Sequence, residues 1–124
     1  MDISEFDKNR YLSLATFRKS GVAVETPVWF AALESKLYVF TAGNSGKVKR
    51  LRNSSKARIS PCDMRGRISG EGRVTEARLI DDAGLVDRAW GALRKKYGWQ
   101  MGLTDLGARL SGRIRKRAYI EIDF

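Results

Sequence analysis

Short runs of alternating apolar and polar residues, separated by turn signals, constrain the fold of this chain more than any other feature. Tyr11–Phe17 places Leu12 and Leu14 on one face, and the final stretch Ala118–Phe124 alternates throughout. A period of two residues is typical of β-strands that are buried on one side. Since these runs do not alternate with long helices, the pattern disfavours a doubly wound Rossmann fold.

Six strands are predicted, most of them antiparallel, at residues 11–17, 22–33, 36–41, 57–62, 71–80 and 118–124. Pro27 lies inside the second strand and has no backbone N–H, so we expect an edge strand or a bulge there. Because closing a sheet removes its exposed edges, the expected architecture is a six-stranded antiparallel split β-barrel. The fold class is mainly β within the α+β proteins.

Two or three helices complete the prediction. A short basic helix is expected at 45–54 and a longer one at 82–97, which Asp82 caps and Gly98 ends. A further helix at 103–110 places its leucines, Leu103, Leu106 and Leu110, on one face. Residues 4–9 can add one or two helical turns at the start of the chain.

The length of 124 residues predicts a single domain, residues 1–124. The N-terminus is acidic and no apolar run follows it, so we expect no signal peptide. The longest apolar run, Pro27–Leu33, is far too short to cross a bilayer. We therefore expect a cytoplasmic protein without a membrane partner.

The chain has no histidine and one cysteine, Cys62. This composition excludes Ser-His-Asp and Cys-His catalysis and histidine-ligated metals, and one cysteine cannot form a structural zinc site alone, so no metal is expected. Without an activating histidine, Cys62 is interpreted as an inert, partly buried thiol. No catalytic residue is identified, and the difficult chemistry is expected of a cofactor or of Asp, Glu, Tyr or Ser.

A candidate phosphate site occupies Thr41–Arg50, where a strand ends and a basic helix begins. The first N–H groups of a helix lack intrahelical partners and carry partial positive charge, which attracts anions. Ser45 adds a hydroxyl, Gly46 lets a ligand approach the backbone, and Lys47 adds a full charge. The spacing is not that of a Walker A loop. An ordinary capped surface helix remains an equal alternative.

Basic residues are concentrated in two clusters, and the formal net charge is +10. The first spans Lys47–Arg67 with Asp63 as its one acid, and the second spans Arg109–Arg117 with no acid. Such surfaces attract polyanionic ligands or nucleic acid. We interpret the second cluster as a solvated basic face. A small barrel that binds single-stranded nucleic acid is disfavoured, because the charge lies on helices and loops and the aromatic stacking pattern is missing.

The segment Thr26–Phe30 joins a proline to two aromatic residues within a predicted strand. Exposed main-chain atoms beside flat side chains could border a planar ring. Core packing is the alternative, and for at least one of Trp29 and Phe30 it is the preferred interpretation.

Together these segments resemble a known family. The order LSLATF, TPVWFA, LYVFTAGNSGKVKRLRNSS and ARISPCDMRGR, followed by a helix and a final strand, covers Tyr11–Phe124. It is similar to the split-barrel flavin and deazaflavin oxidoreductases related to pyridoxamine 5′-phosphate oxidase, and within them to the actinobacterial F420-dependent branch. The chain lacks the C-terminal Trp and Arg elements of the oxidases proper, so pyridoxamine phosphate oxidation is not expected.

The resemblance implies positions for a cofactor. Its phosphate would lie on Thr41, Ser45, Gly46 and Lys47, with Lys49 and Arg50 nearby. Its ring would lie along the predicted strand 22–33, at Thr26, Pro27, Val28 and Trp29. The resemblance also implies a homodimer with the cofactor at the subunit interface, and the apolar face of the last strand is a candidate part of a shared core.

The implied activity is hydride transfer between coenzyme F420 and a small organic acceptor. Such chemistry needs no histidine, because the protein binds and orients the cofactor that reacts. F420 carries a phosphate and a polyglutamate tail, which suits a net charge of +10 better than the phosphate of FMN alone. An FMN-dependent enzyme and a non-catalytic carrier of either cofactor are the alternatives.

Overall fold

The computed structural model describes residues 2–124, and its centre is one curled antiparallel sheet of seven strands. The strands are Tyr11–Phe17 (β1), Ala23–Val28 (β2), Phe30–Leu33 (β3), Lys36–Ala42 (β4), Lys56–Cys62 (β5), Arg73–Ile80 (β6) and Arg117–Asp123 (β7). The helices are Ile3–Phe6 (α1), Gly46–Asn53 (α2), Ala83–Tyr97 (α3) and Trp99–Ser111 (α4), and a 3-10 turn spans Arg113–Lys116. No helix within residues 2–124 is long and apolar enough to span a bilayer.

The sheet closes where β2 meets β3. Its strand order is β2-β1-β5-β6-β7-β4-β3, so two strands that follow each other in the chain lie at opposite edges. Only Trp29 separates them. The sheet must therefore curl until its edges approach, which gives a split barrel and confirms the predicted fold class. Pro27 lies in the edge strand β2, as its missing N–H requires.

The structure has seven strands where six were predicted, because residues 22–33 form two strands. Before Trp29 the chain pairs with β1, and after it the chain pairs with β4. The hydroxyl of Tyr97 stabilises the break: the Phe30 N–H donates to it at 3.0 Å, and it lies 3.0 Å from the Phe30 carbonyl oxygen. The sequence pattern gives no sign of this break, because the apolar run Pro27–Leu33 continues through the point where the pairing strand changes from β1 to β4.

The barrel interior holds the main apolar core, which includes Leu12, Leu14, Phe30, Leu37, Val39, Ile59, Ile120 and Ile122. α1 closes one end through Phe6, and α2 closes the other through Leu51. The prediction that the last strand contributes to a core shared between two subunits is wrong for Ile120 and Ile122. Both are fully buried within their own barrel, because β7 is an interior strand between β6 and β4.

The long helix α3 packs on the outside of β3 and β4 through Ala89, Leu93 and Tyr97. α4 follows after a turn at Gly98, whose φ of 58° is in the left-handed region that favours glycine. It begins four residues before the predicted helix 103–110. The side that faces the protein carries Met101, Asp105 and Ala108. The three predicted leucines point to solvent.

Candidate functional site

The candidate site lies at the start of α2, where β4 ends. Ser45 is the N-cap of this helix, and its Oγ accepts from the Val48 N–H at 3.5 Å and from the Thr41 hydroxyl at 3.4 Å. Val48 and Leu51 are buried and fix the rotation of α2 on the end of the barrel. The first-turn N–H groups are left without carbonyl partners, as at every helix start. The predicted strand–turn–helix arrangement is therefore present.

Arg50 folds back over the first turn of α2. Its Nε donates to Thr16 Oγ1 at 2.6 Å, and Thr16 is fully buried at the end of β1. A Cβ added to Gly46 would lie 2.6 Å from Arg50 Nη1. Gly46 thus leaves room for the guanidinium and not, as predicted from the sequence, for a ligand.

Lys47 and Arg50 bring two positive charges together. Burial, and then the nearby Arg50 charge, lower the pKa of Lys47. Neither residue forms an ion pair with a carboxylate in the described chain. Lys49, by contrast, is exposed. An anion between Lys47, Arg50 and the helix start would relieve this repulsion, so the cluster is suited to a phosphate or carboxylate.

Thr16 was missed by the sequence analysis, although one signal indicated it. In the strand Tyr11–Phe17, positions 12, 14 and 16 share a face, and Thr16 is the polar member of that set. A polar side chain on an inward face needs a partner. The identity of that partner, 34 positions away in Arg50, could not be read from the strand itself.

A cavity of about 390 Å³ lies between the β4–α2 connection and α4. Its lining residues are Phe40, Thr41, Ala42, Gly43, Asn44, Thr104, Ala108, Arg113, Lys116 and Arg117. The Gly43 N–H donates to the Lys116 carbonyl at 2.7 Å, and a Cβ on Gly43 would lie 2.2 Å from that oxygen. Part of the second basic cluster therefore lines a cavity beside the candidate site, which the interpretation as a solvated face did not anticipate.

The predicted ring-binding residues do not share one surface. Thr26 and Val28 pair with Leu14 and Leu12, so they point into the barrel, whereas Pro27 points outward. Val28 is buried, and Thr26 Oγ1 is a buried oxygen without a hydrogen-bond partner in the described chain. Of this strand, Thr26 is the residue with an unused polar atom.

Trp29 lies on the helical side of the sheet. Its ring stacks on Tyr97 with centroids 4.4 Å apart and planes 7° from parallel. Phe30 is fully buried in the barrel. Both aromatic residues therefore pack against the protein, which was the alternative considered for them.

Cys62 is buried, and this burial raises the pKa of its thiol. A protonated thiol is a poor nucleophile, which agrees with the interpretation of Cys62 as inert. Among residues 2–124, no three His, Cys, Asp or Glu side chains are grouped closely enough to hold a metal ion.

Residues 3–124 match the family model described as pyridoxamine 5′-phosphate oxidase. Since the match spans nearly the whole chain, the protein belongs to this family. No protein of curated function matches the sequence significantly.

Solved structures with the same fold come from several bacteria. HutZ, the heme storage protein from Vibrio cholerae, has a TM-score of 0.72 and 14% identity, over 98% of this chain and 86% of its own. A putative pyridoxamine 5′-phosphate oxidase from Listeria innocua has a TM-score of 0.67 and 13% identity, over 97% and 87%. An FAD-binding protein from Mesorhizobium loti has a TM-score of 0.61 and 18% identity, over 95% and 81%. At these identities the likeness shows the fold.

Proposed function

We propose that the protein is an oxidoreductase that binds a phosphate-bearing flavin or deazaflavin and transfers a hydride to or from a small organic molecule. The observation that carries the proposal is the pair Lys47 and Arg50, two cations without a carboxylate partner in the described chain, held at a helix start. A cofactor phosphate would supply the missing negative charge. The same fold occurs in an FAD-binding protein, which supports this ligand class.

The residues divide the work of holding such a cofactor. Lys47, Arg50 and the hydroxyl of Ser45 bind the phosphate, and Thr16 fixes the orientation of Arg50. When bound, the cofactor supplies the hydride chemistry, and the protein positions it and excludes water.

F420 is the preferred cofactor in this proposal, and FMN is the alternative. The cavity beside Thr41 adds Asn44, Arg113 and Lys116, none of which a single phosphate at α2 requires. These groups suit a second anionic segment such as the glutamate tail of F420. The observation favours F420 because charged groups recruit a multiply charged ligand over a singly charged one.

A homodimer is also part of the proposal. Three apolar residues are exposed near the β5–β6 connection. Met64 and Ile68 lie in the loop after β5, and Val74 lies on β6. Val74 pairs with Arg58, whose side chain reaches Glu25 on the outer surface of the sheet, so Val74 faces outward as well. A second copy placed here would cover these residues and bring its own groups near the cofactor.

Titration of the purified protein with F420 and FMN, followed by tryptophan fluorescence, tests cofactor binding. We expect F420 to bind more tightly and its affinity to fall more steeply with salt, because more charge pairs are screened. Equal salt slopes, or tighter binding of FMN at every salt concentration, would contradict the preference for F420. Failure of both to bind would contradict the proposed function.

Turnover separates an enzyme from a carrier. HutZ is a heme storage protein with this fold, so binding without catalysis is a specific alternative. The expected result is oxidation of the reduced cofactor in the presence of an electron acceptor, faster than without protein. If the protein binds the reduced cofactor but the cofactor is oxidised no faster than in buffer, the protein is a carrier.

A further inference from the structure

α4 has an apolar stripe that no part of the described chain covers. The spacing of its members by four, three and four residues places them within a narrow strip along the helix. Their exposed fractions are large: Trp99 74%, Leu103 59%, Leu106 53% and Leu110 81%. The opposite side of the same helix packs on the protein through Met101, Asp105 and Ala108. α4 therefore presents its most apolar surface to solvent.

The rotation of α4 is fixed by buried polar contacts. Asp105 forms an ion pair with Arg117 at 2.7 Å, and their side chains are 5% and 7% exposed. The Trp90 indole N–H donates to the other carboxylate oxygen at 2.9 Å. Rolling the helix to bury its leucines would leave Asp105 and Arg117 without these partners. The outward stripe is thus a stable feature of the fold.

Exposed cations lie at both ends of the stripe. At the first end, the exposed Arg94 side chain is within 4 Å of the position that a Cβ on Gly102 would occupy. At the other end, the exposed Arg109 precedes Leu110 in the chain, and the exposed Arg115 follows in the 3-10 turn. The one carboxylate between Trp99 and Arg117 is the buried Asp105. The exposed charges of α4 and of the segment up to Arg117 are therefore all basic, and Asp87 of α3 lines a pocket with Arg109.

This charge distribution decides between occupants. A second copy of α4 would place cations against cations in a parallel arrangement, and also in an antiparallel one, because both ends are basic. A membrane with anionic lipids offers acyl chains to the leucines and negative headgroups to the arginines. Trp99 suits the boundary between the two layers. We propose that α4 docks the protein on the surface of an anionic membrane.

The proposal is independent of the cofactor site. It also differs from the expectation that the protein has no membrane partner, which considered only segments able to span a bilayer. Here the helix would lie in the plane of the surface and contribute only its outward side chains.

Sedimentation of the full-length chain with vesicles tests the proposal. The vesicles contain equal amounts of phosphatidylglycerol and phosphatidylcholine, or phosphatidylcholine alone. We expect binding to the anionic vesicles, at least about tenfold weaker binding to the neutral ones, and release by high salt. A blue shift of tryptophan emission should accompany binding and should be lost in Trp99→Phe.

Matched variants test whether vesicle binding depends on the stripe or on exposed apolar and basic residues in general. The double variant Leu106→Gln/Leu110→Gln should weaken binding about tenfold per leucine, whereas Val22→Gln, another exposed apolar site, should leave it unchanged. Arg109→Gln/Arg115→Gln should weaken it about fivefold per residue, compared with the control Arg18→Gln/Lys19→Gln on the β1–β2 turn.

Several outcomes would overturn the proposal. One is equal binding to both vesicle types, and another is an equal loss in the stripe and control variants. A third is absence of vesicle binding, which would also be the result if an acidic protein were the partner. If the leucine variants dissociate an oligomer in sedimentation velocity and vesicles are not bound, a second copy covers the stripe instead.

Discussion

At the scale of single residues, the candidate site depends on how Arg50 is held. Its Nε is fixed to Thr16 at 2.6 Å, so its guanidinium stays near Lys47 despite the repulsion between them. A flexible pair of cations would separate in solvent. For the proposed phosphate ligand, the buried hydroxyl of Thr16 would hold Arg50 in place before binding, which would reduce the ordering cost.

Lys47→Ala should weaken binding of both F420 and FMN by about tenfold to a hundredfold. The substitution removes one charge-assisted hydrogen bond to a partly desolvated phosphate, worth about 1.5 to 3 kcal/mol. Folding should be unaffected, since Lys47 lies among like charge and its pKa is lowered rather than raised. Fluorescence titration measures the affinities, and urea denaturation checks the fold.

Two controls define the effect of Lys47. Lys49→Ala removes the same charge from an exposed position of α2 and should change either affinity little. Lys116→Ala, in the neighbouring cavity, should weaken F420 modestly and leave FMN unchanged. Unchanged affinity in Lys47→Ala, or equal losses in Lys47→Ala and Lys49→Ala, would show that the cluster acts only as a diffuse field.

Sequence reasoning placed Ser45 at the cap and Lys47 in the first turn of α2 because capping is a local interaction. It missed Thr16, and it assigned the space over Gly46 to a ligand, because the Arg50–Thr16 contact joins residues 34 positions apart. Trp29 illustrates the same limit. Its sequence neighbours suggested a ring-binding surface, whereas its actual partner, Tyr97, comes from a distant helix. Local pattern specifies an element, and long-range contacts decide what each side chain meets.

At the scale of elements, a buried polar contact orients α4 on the barrel. The pair Asp105 and Arg117 joins the helix to the start of β7, and Trp90 joins it to α3. Its apolar contribution on this side is limited to Met101 and Ala108. The pattern Leu103, Leu106, Leu110 could not indicate this orientation, since a leucine stripe normally faces a core.

Asp105→Ala should destabilise the protein by about 3 to 5 kcal/mol, because it leaves the buried charge of Arg117 without a partner. The double variant Asp105→Leu/Arg117→Met should be less destabilised than the single one, since no charge is then buried alone. Urea denaturation measures both free energies of unfolding. A single variant within about 1 kcal/mol of the original protein would contradict the buried pair.

The strands β4, β6 and β7 share a partly exposed ion-pair cluster. Arg78 bonds Glu121 and Asp123 at 2.7 Å each, and Lys36 bonds Asp123 at 2.7 Å. The hydroxyl of Tyr38 donates to Glu121 at 2.7 Å as well. Arg78 and then Lys36 lower the pKa of Asp123 to about 2.

The free energy of unfolding should therefore fall as the pH decreases from about 4 to about 2. In the unfolded chain Asp123 has its ordinary pKa, so the unfolded state takes up a proton first, and stabilisation present above pH 3.8 is lost as the pH falls through the folded pKa. Urea denaturation across this range should show a shallower pH dependence for Asp123→Asn. The exposed carboxylate variant Glu71→Gln serves as the control, and equal slopes in Asp123→Asn and the original protein would refute the contribution.

At the scale of the whole molecule, the split barrel leaves two sets of apolar residues on its surface. One is the stripe on α4, and the other comprises Met64, Ile68 and Val74 near the β5–β6 loop. The architecture was predictable because alternating strands and the absence of long crossover helices leave few ways to close a sheet. The division of 22–33 was not, since it depends on which strand lies on each side of Trp29.

The protein should sediment as a dimer at micromolar concentration, and Val74→Asp should shift it toward the monomer. Placing a charge on an outward, 66% exposed position costs the monomer little, whereas it buries an unpaired carboxylate in a dimer. Sedimentation velocity measures the change. Leu110→Asp, an equally drastic change on the α4 stripe, should leave the dimer intact. A monomer that still binds cofactor fully would contradict the proposed shared site.

The contact between Gly43 and Lys116 has a consequence for the divergence of this chain over time. A side chain at position 43 would collide with the Lys116 carbonyl, since even a Cβ would lie only 2.2 Å from that oxygen. A descendant sequence that replaces this glycine must also shift or shorten the segment 112–117, and both changes must become fixed together. Position 43 can therefore serve as a marker of inheritance: a relative that keeps glycine there can retain the same cavity wall, and one that does not has rebuilt it.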